Sequence, residues 1–202
     1  AAYRKKYSCN NVLIQCLEKW RSALDQNHTV ACILMDLSKA FDCLPHNLLI
    51  AKLSAYGFSY NACTLIKSYL TDRPQRVKIG HHLSDWQNLK RGVPQGSVVG
   101  PLLFNVFLND LFYNINDIDV FNYADDNSLS YHHKDPTVLS KVLETASEKA
   151  ITWLHSNNMQ ANPDKFQAIV LSRSTVNHIK SFNITGSEIV PEKSVKLLLI
   201  IN

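Results

Sequence analysis

Three aspartates carry the pattern that could do chemistry in this 202-residue sequence. Asp36 ends the apolar run ACILMD, and Asp125 and Asp126 stand side by side in VFNYADDNSLSYHH. Two carboxylates about 4 Å apart repel each other by roughly 4 kcal/mol at an effective dielectric near 20, so such a pair in a cleft calls for a cation. Mg²⁺ binds through one or two carboxylates and fills its shell with water and phosphate oxygens. Two such ions would support nucleotidyl transfer or phosphodiester hydrolysis.

The aspartate pair also has a purely structural interpretation. Asp is common in turns because its side chain hydrogen-bonds to its own backbone. The stretches 120–124 and 128–131 are strand-like on either side, which predicts that the pair lies at the end of a hairpin. A position at a hairpin end favours a site, and the turn alone remains the alternative.

Hydrophobic spacing predicts the elements that must position these carboxylates. Apolar residues at helical spacing predict a helix over 10–25, and a continuous apolar run predicts a buried strand over 30–37. Pro45 and Gly57 bracket a second helix, and a third follows over 59–70. The alternating segment 75–89 predicts a hairpin around Gly80, with Trp86 packed inward.

The second half of the chain predicts further helices and strands. Pro101 is expected to start one helix over LLFNVFLNDLFYNI, and a helix with a long apolar face follows Pro136. Strands are predicted over 166–172 and near Phe182 and Ile189. This order indicates an α+β fold with an antiparallel hairpin at its centre.

Composition limits the class of protein. With 46% hydrophobic residues the chain can bury a real core, and no apolar run is long enough to predict a membrane span or a signal peptide. Five cysteines without a CxxC pair favour a reducing compartment inside the cell, either nucleus or cytoplasm. The net charge of +4 permits a polyanion partner without requiring one. Each of three basic clusters, taken singly, is typical of an ordinary solvated face, but the three together favour a nucleic-acid track. They are Arg4, Lys5 and Lys6; Arg73, Arg76 and Lys78; Lys90 and Arg91.

Four separated motifs together resemble one protein family. In order they are DLSKAFD, RGVPQGSVVGPLLFNVFLND, YADD and NPDK. The set is similar to the palm domain of a reverse transcriptase, and its spelling most resembles the non-LTR (LINE-type, jockey-like) retrotransposon family. The resemblance implies a polymerase palm-type antiparallel sheet packed on helices. It also implies partial fingers at roughly 1–29 and 57–90, palm at roughly 30–56 and 91–202, and no thumb.

The resemblance implies an activity and its cofactor. The family transfers a nucleotide from a deoxynucleoside triphosphate to the 3′-hydroxyl of a DNA primer on an RNA template, with two Mg²⁺ ions or, as a second choice, Mn²⁺. By similarity, Asp36, Asp125 and Asp126 would hold both ions.

The same motifs imply roles around the nucleotide. Phe41 would lie against the sugar and exclude a 2′-hydroxyl, although it is equally interpretable as an apolar core anchor. Gln95 and Gly96 resemble loop residues that contact the nucleotide, with Arg91 nearby for charge.

Two basic groups are assigned in the same way. Lys165, in NPDK, would approach the departing pyrophosphate as a counter-charge or a general acid, and an exposed loop lysine is the alternative. Arg4, Lys5 and Lys6 resemble the fingers motif that meets nucleotide phosphates.

Some positions depart from the family pattern and leave alternatives open. Leu199 stands where a glycine is usual and Asn202 where an acidic residue is usual, and the start at Ala1 suggests a fragment. One alternative is an inactive transposon-derived remnant that binds RNA or DNA, or nothing. Another is a two-metal nuclease using the same aspartates, for which no motif supplies a histidine base.

Overall fold

A computed structural model of the chain describes residues 8–37, 41–94, 96–123, 126–174 and 179–195. Six α-helices lie in these ranges: α1 (Cys9–Asp25), α2 (His46–Ala55), α3 (Tyr60–Leu70), α4 (Gly100–Leu108), α5 (Leu111–Asn114) and α6 (Pro136–Ser156). The described strands are β1 (Thr29–Met35), β2 (Pro74–Gln75), β3 (Lys78–Ile79), β4 (His82–Leu83), β5 (Gln87–Asn88), β6 (Asp119–Tyr123), β7 (Asp126–His133), β8 (Gln167–Leu171), β9 (Phe182–Ile184) and β10 (Ser187–Ile189). None of the described helices is long and apolar enough to cross a bilayer.

The predicted elements are confirmed with one interruption. Helices α1, α2, α3 and α6 and strands β1, β8, β9 and β10 lie where the hydrophobic spacing places them. The single helix predicted after Pro101 is wrong, because α4 ends at Leu108 and α5 starts only at Leu111. Asn109 and Asp110 separate them, and side chains of this type compete with the helical backbone for hydrogen bonds.

The chain packs as two compact units. The first comprises Ala1–Ser38, Asp110–Ser156 and Gln160–Asn202, and the second comprises Lys39–Asn109 and Asn157–Met159.

The first unit is built on a four-stranded antiparallel sheet in the order β6-β7-β1-β8. Helix α1 packs against β1 and β6, and α6 packs against β7, β1 and β9. The α1 side is an apolar cluster formed by Val12, Cys16, Trp20, Ala23, Val30, Cys32 and Phe121. Because β1 is central and buried along nearly its whole length, it reads in the sequence as one continuous apolar run.

Polar groups buried in this sheet are paired. The indole Nε1 of Trp20 donates a hydrogen bond to Oγ of Ser130 at 2.8 Å, and that hydroxyl donates to the carbonyl oxygen of Ala31 at 3.1 Å. The chain of two bonds joins α1, β7 and β1. Because an unpaired buried donor costs about 1–3 kcal/mol, this pairing helps to fix where α1 sits on the sheet.

The second unit holds α2, α3 and α4 with a projecting hairpin. Helix α2 packs against both α3 and α4, and its buried residues are Leu49 and Leu53. Gly57 follows the end of α2 with φ of 88°, a left-handed conformation that glycine adopts at low cost. The predicted helix end is therefore confirmed.

The hairpin of the second unit is confirmed, but the prediction for Trp86 is wrong. Strand β2 pairs with β5, and β3 pairs with β4 around Gly80 and His81. Trp86 is 58% exposed, and the guanidinium of Arg76 lies 4.5 Å from its ring centroid. Alternation of apolar and polar residues indicated a buried face, but in the described structure no part of the unit covers the hairpin.

A histidine pair lies at the outer end of β1 and β7. The Nδ1 atoms of His28 and His132 are 2.9 Å apart, so one ring must be neutral for them to share a proton. The pKa of His28 is lowered, first by desolvation and then by the charges of His132, Lys134 and His133.

We expect this pair to make stability depend on pH. In the unfolded chain His28 takes up its proton near its ordinary pKa of 6.5, whereas in the folded chain the lowered pKa means that it does so only at lower pH. The unfolded state therefore binds more protons below about pH 6.5, and the free energy of unfolding falls as the pH is lowered through that value. Denaturant titrations at about pH 5.5 and 7.5 should show a smaller difference in the free energy of unfolding between the two pH values for His28→Gln than for the parent.

The matched control is the exposed His81→Gln, which should keep the parent's pH difference. If His28→Gln and the parent lose the same free energy on acidification, the pair does not control this dependence.

Candidate active site

Strand register brings two of the candidate carboxylates together in the first unit. In the pairing of β1 with β7, the last partners are Met35 and Asn127. One further step along the same register sets Asp36 opposite Asp126. Directly opposed residues of antiparallel strands point to the same face with Cβ atoms about 4.5–5.5 Å apart. The two carboxylates are thus neighbours although ninety positions separate them in the chain.

The other neighbour of β1 brings Lys165 to the same place. Leu34 pairs with Gln167, the first residue of β8, and Lys165 lies two residues earlier, at the end of the 3-10 turn that leads into this strand. The Nζ atom of Lys165 lies 3.8 Å from Oδ2 of Asp36. Both side chains are more than half exposed, and such an ion pair contributes about 0–1 kcal/mol. The pair costs little to separate, so both groups can turn to a ligand.

The three side chains line one small cleft. It has a volume of about 120 Å³, and its walls are Leu34, Met35, Asp36, Asp126, Asn127, Ser128, Lys165 and Gln167. The charge of Asp126 also extends to the start of α1, where the pKa of Cys9 is raised by desolvation and, to a smaller degree, by this carboxylate. The cleft therefore combines two carboxylates and an ammonium group at the end of the sheet.

The hairpin of β6 and β7 positions Asp126. Asp126 is the first residue of β7 and pairs with Tyr123 of β6 in the last register position of the hairpin, so it lies at the hairpin end as predicted. Nδ2 of Asn122 donates to Oδ1 of Asn127 at 2.8 Å beside it, which ties the two strands together. Asp125 lies outside the described residues.

Carboxylate oxygens are the ligand atoms that Mg²⁺ prefers, so the side chains of the cleft are of the type that binds this ion. In the part of the chain that the structure describes, no group of three or more His, Cys, Asp or Glu side chains is close enough to hold a metal. Asp36 and Asp126 supply two carboxylates of the predicted set, and the third predicted ligand, Asp125, lies beyond that part.

Local structure explains how Lys165 is held. Residues Pro163–Lys165 form a 3-10 helix, in which Oδ1 of Asn162 accepts a hydrogen bond from the backbone N–H of Asp164 at 3.2 Å. Phe166, the next residue, is buried and anchors the turn in the core. The motif NPDK is therefore a capped turn that presents the lysine at the sheet end.

The glycine-rich loop belongs to the second unit and is built on a close backbone contact. Gly92 has φ of 85°, and a Cβ added to it would lie 2.8 Å from Cα of Asp42 and 2.9 Å from the carbonyl oxygen of Phe41. The backbone N–H of Val93 donates to that same carbonyl at 2.9 Å. Only a glycine permits this approach at position 92.

Phe41 and Gly96 occupy different environments in the second unit. The Phe41 ring is partly buried and lies 4.5 Å from the buried ring of Phe104, centroid to centroid. It therefore has a packed support, which suits both an anchor and a surface for a sugar. Gly96 has φ of 77°, and a Cβ there would meet nothing within 4 Å, so its backbone faces open space.

The remaining predicted residues divide into exposed ones and ones outside the described ranges. Arg91, Arg73 and Arg76 are exposed in the second unit. Arg4, Lys5, Lys6 and Gln95 lie outside the described residues, as do Leu199 and Asn202.

Three polar residues of the cleft were missed from sequence. Asn127, Ser128 and Gln167 line it beside the carboxylates. Their position in the sequence could have identified them, because each lies on a strand within two residues of a predicted site residue. Nε2 of Gln167 donates to Oε1 of Glu192 at 3.1 Å, which orients this wall.

Residues 2–198 match the family model described as Reverse transcriptase (RNA-dependent DNA polymerase). The chain belongs to the reverse transcriptase family. The matched range covers nearly the whole of this chain and includes every motif on which the resemblance rested.

Curated relatives of this reverse transcriptase are encoded by non-LTR retrotransposons, which confirms the predicted branch of the family. The probable RNA-directed DNA polymerase from transposon BS of Drosophila melanogaster is 31% identical, covering 71% of this chain and 16% of that protein. The Pol polyprotein of retrotransposable element R2 from Popillia japonica is 26% identical, covering 90% and 31%. The RNA-directed DNA polymerase from mobile element jockey of Drosophila melanogaster is 25% identical, covering 76% and 17%. The chain thus spans at most about a third of these relatives' length.

Solved structures confirm the palm-type fold of the reverse transcriptase. The apo telomerase from Candida tropicalis, truncated from its C-terminal domain, has a TM-score of 0.60 at 16% identity and covers 91% of this chain and 38% of its own. The telomerase from Candida albicans in complex with the TWJ fragment of telomeric RNA has a TM-score of 0.59 at 17% identity, covering 95% and 35%.

We expect Gly92→Ala to destabilise the second unit strongly. A non-glycine residue in the left-handed region costs about 1–2 kcal/mol, and forced overpacking adds about 1–3 kcal/mol. Gly57→Ala is the matched control, because its φ is 88° but its added Cβ would meet nothing within 4 Å. Chemical denaturation should show a loss about 1–3 kcal/mol greater for Gly92→Ala. Equal losses would mean that the contact with the 41–42 backbone does not constrain the loop.

Proposed function

We propose that this chain is the nucleotidyl-transfer core of an RNA-directed DNA polymerase. The observation that carries the proposal is the convergence of Asp36, Asp126 and Lys165 on one cleft at the end of the sheet. Family membership and the retrotransposon relatives support the same reaction. The substrates are an RNA template, a DNA primer and a deoxynucleoside triphosphate.

Asp36 and Asp126, with Asp125, would hold two Mg²⁺ ions, and Mn²⁺ is the second choice. When bound, such ions lower the pKa of a primer 3′-hydroxyl and neutralise charge on the triphosphate. The chain's own contribution is to hold oxygen ligands on two paired strands, where the register limits how far they can separate.

Lys165 is proposed to meet the departing pyrophosphate. It already lies beside Asp36 on a capped turn, and its ammonium is a compact charge that can also donate a proton. Its weak ion pair keeps it near the cleft before the substrate arrives.

The second unit is proposed to supply the nucleotide contacts. Phe41, supported by Phe104, would lie against the deoxyribose, and the open backbone at Gly96 with Gln95 would contact the nucleotide. Arg91 would add charge beside them. The tight contact of Gly92 with the 41–42 backbone supports this grouping, because it links the loop to Phe41 within one unit.

We assign the template and primer contacts to the basic residues predicted from sequence: Arg4, Lys5, Lys6, Arg73 and Arg76. We also assign the palm to roughly 30–56 and 91–202 and the fingers to roughly 1–29 and 57–90. This division is by function, whereas the two compact units follow packing.

The reaction is proposed to take place inside the cell, in the nucleus or cytoplasm. All five cysteines are free thiols in the structure. Burial raises the pKa of Cys16 to about 12, with a further contribution from Asp119, and raises the pKa of Cys32 well above its ordinary value. Buried neutral thiols of this kind behave as small apolar side chains and suit a reducing compartment.

Metal binding and primer extension together test the carboxylates. We expect Asp36→Asn and Asp126→Asn to weaken Mn²⁺ binding, measured by titration, and to slow Mg²⁺-dependent primer extension on RNA by at least about 100-fold. Glu148→Gln, an exposed carboxylate on α6, is the matched control and should change neither quantity. Thermal unfolding should show all three variants folded.

Three other outcomes would decide against the proposal in different ways. Parent-level extension by Asp126→Asn would remove that residue from the site. Mn²⁺ binding by the parent without extension would support an inactive remnant. Cleavage of a labelled single strand with Mg²⁺ and no nucleotides would indicate a nuclease.

Substitution of Lys165 separates its two possible roles. Lys165→Arg keeps the positive charge but hardly releases a proton, whereas Lys165→Ala loses both properties. If the lysine is a general acid, both variants should slow single-nucleotide insertion by about 100-fold, the usual lower range for this kind of catalysis. If it is a counter-charge, only Lys165→Ala should do so. Unchanged insertion in both would assign the lysine to the surface.

A further inference from the structure

Residues 73–91 form a two-stranded hairpin, called here the ribbon, that has almost no buried side chain. Every residue from 71 to 88 is exposed. The apolar side chains Val77, Ile79, Leu83 and Trp86 are between 48% and 74% exposed. A lone two-stranded hairpin is marginally stable in water, and exposed apolar groups rimmed by polar ones mark interaction sites. The ribbon therefore presents a surface that a ligand could cover.

Charge indicates what kind of ligand fits. The ribbon contains five of the chain's 21 basic residues and one of its 17 acidic residues, so sixteen of each remain elsewhere. The whole net charge of +4 is thus concentrated in 19 positions. A basic stripe of this kind is the electrostatic footprint of a polyanion partner. The basic members are Arg73, Arg76, Lys78, Lys90 and Arg91.

Two aromatic–guanidinium contacts lie among these charges. The guanidinium of Arg76 is 4.5 Å from the ring centroid of Trp86, and that of Arg73 is 5.1 Å from the ring centroid of Tyr69. In an aqueous setting each contact holds a planar cation against a planar ring and keeps both in place. Register pairs Lys78 with Leu83 further along the ribbon, which extends the basic surface toward the turn.

We propose that the ribbon is a single-stranded nucleic-acid-binding site, in which a base stacks on Trp86 and Arg76 while the neighbouring basic residues contact phosphates. Non-specific single-strand sites combine these two features, aromatic stacking and a positively charged track. The inference deepens the proposed polymerase function, because it gives the template-binding role to a particular surface. It does not depend on the metal ligands, because they lie in the other unit.

A protein partner suits the ribbon less well. A second copy of the chain would bring two ribbons with charges of the same sign against each other. Single strands offer both exposed bases and phosphates, whereas a duplex hides its base faces in the stack. The exposed tryptophan therefore favours a single strand.

Intrinsic fluorescence provides a direct readout of this site. Of the three tryptophans in the chain, Trp20 and Trp153 are buried and Trp86 is exposed. Titration of the parent with an unlabelled oligonucleotide of about 15 nucleotides should quench its fluorescence, because a stacked base contacts only Trp86. The buffer contains EDTA and no nucleotides, so a failure of the catalytic proposal leaves this measurement intact.

Substitutions then measure the contribution of each group. With a labelled single strand of RNA, Trp86→Ala should raise Kd by about 5- to 150-fold, and Trp86→Phe should retain most of the affinity but lose the quenching. Arg76→Ala should lower the slope of log affinity against log salt by about 0.7. The matched controls are Tyr60→Ala, an exposed aromatic on α3, and Arg21→Ala, an exposed arginine on α1, neither of which should change Kd appreciably. DNA of the same sequence serves as a second arm to show whether the site prefers RNA.

Several results would overturn the inference. They are the absence of quenching in the parent, binding by Trp86→Ala as tight as that of the parent, and an equal loss of affinity in Tyr60→Ala. Sedimentation in which the parent self-associates and Trp86→Ala does not, with unchanged nucleic-acid affinity, would reassign the ribbon to a protein interface. Thermal unfolding of Trp86→Ala at the parent's temperature excludes misfolding as the cause of lost binding.

Discussion

The antiparallel pairing of β1 with both β7 and β8 is the constraint on which the candidate active site depends. One strand sets two registers at once: its pairing with β7 runs to Met35 and its pairing with β8 runs to Leu34, so both end just before Asp36. Backbone pairing brings Asp126 there without a side-chain contact, and the 3-10 turn before β8 presents Lys165. The weak ion pair between Asp36 and Lys165 is therefore a consequence of the sheet and not its cause.

Burial of β1 on both faces makes this register hard to change. A slip of one residue would move every β1 side chain to the opposite face, and would take Val30 and Cys32 out of the cluster against α1. The buried hydrogen bonds from Trp20 through Ser130 to Ala31 would be broken as well. The core and the site are thus specified by the same pairing, and a large stability cost protects the geometry of the carboxylates.

Much of this arrangement could be predicted from sequence, since hydrophobic periodicity is a local signal. It identified the buried run of β1, the hairpin before and after the aspartate pair, and the long helix α6.

The predictions that failed are those for which a local sequence pattern is not enough. The alternation around Trp86 says that one face of a hairpin is apolar, but not whether any other element covers it. The apolar run after Pro101 predicts a helix, but the backbone competition at Asn109 and Asp110 divides it. The convergence of Lys165 on Asp36 rests on a pairing across more than a hundred residues, which only the family resemblance could anticipate.

The contrast between the middle and the end of β1 explains how one strand serves both stability and chemistry. In the middle, Cys32 is fully buried and its pKa is raised well above the ordinary value, so the core contains a neutral thiol and no charge. Four residues later Asp36 is exposed, where water lowers the cost of a charge that would be several kcal/mol in the interior. A strand that crossed the core with a carboxylate in its middle would need a buried partner for it. By placing the acid one residue beyond the last paired position, the fold keeps the charge available to a cation while the strand itself stays apolar.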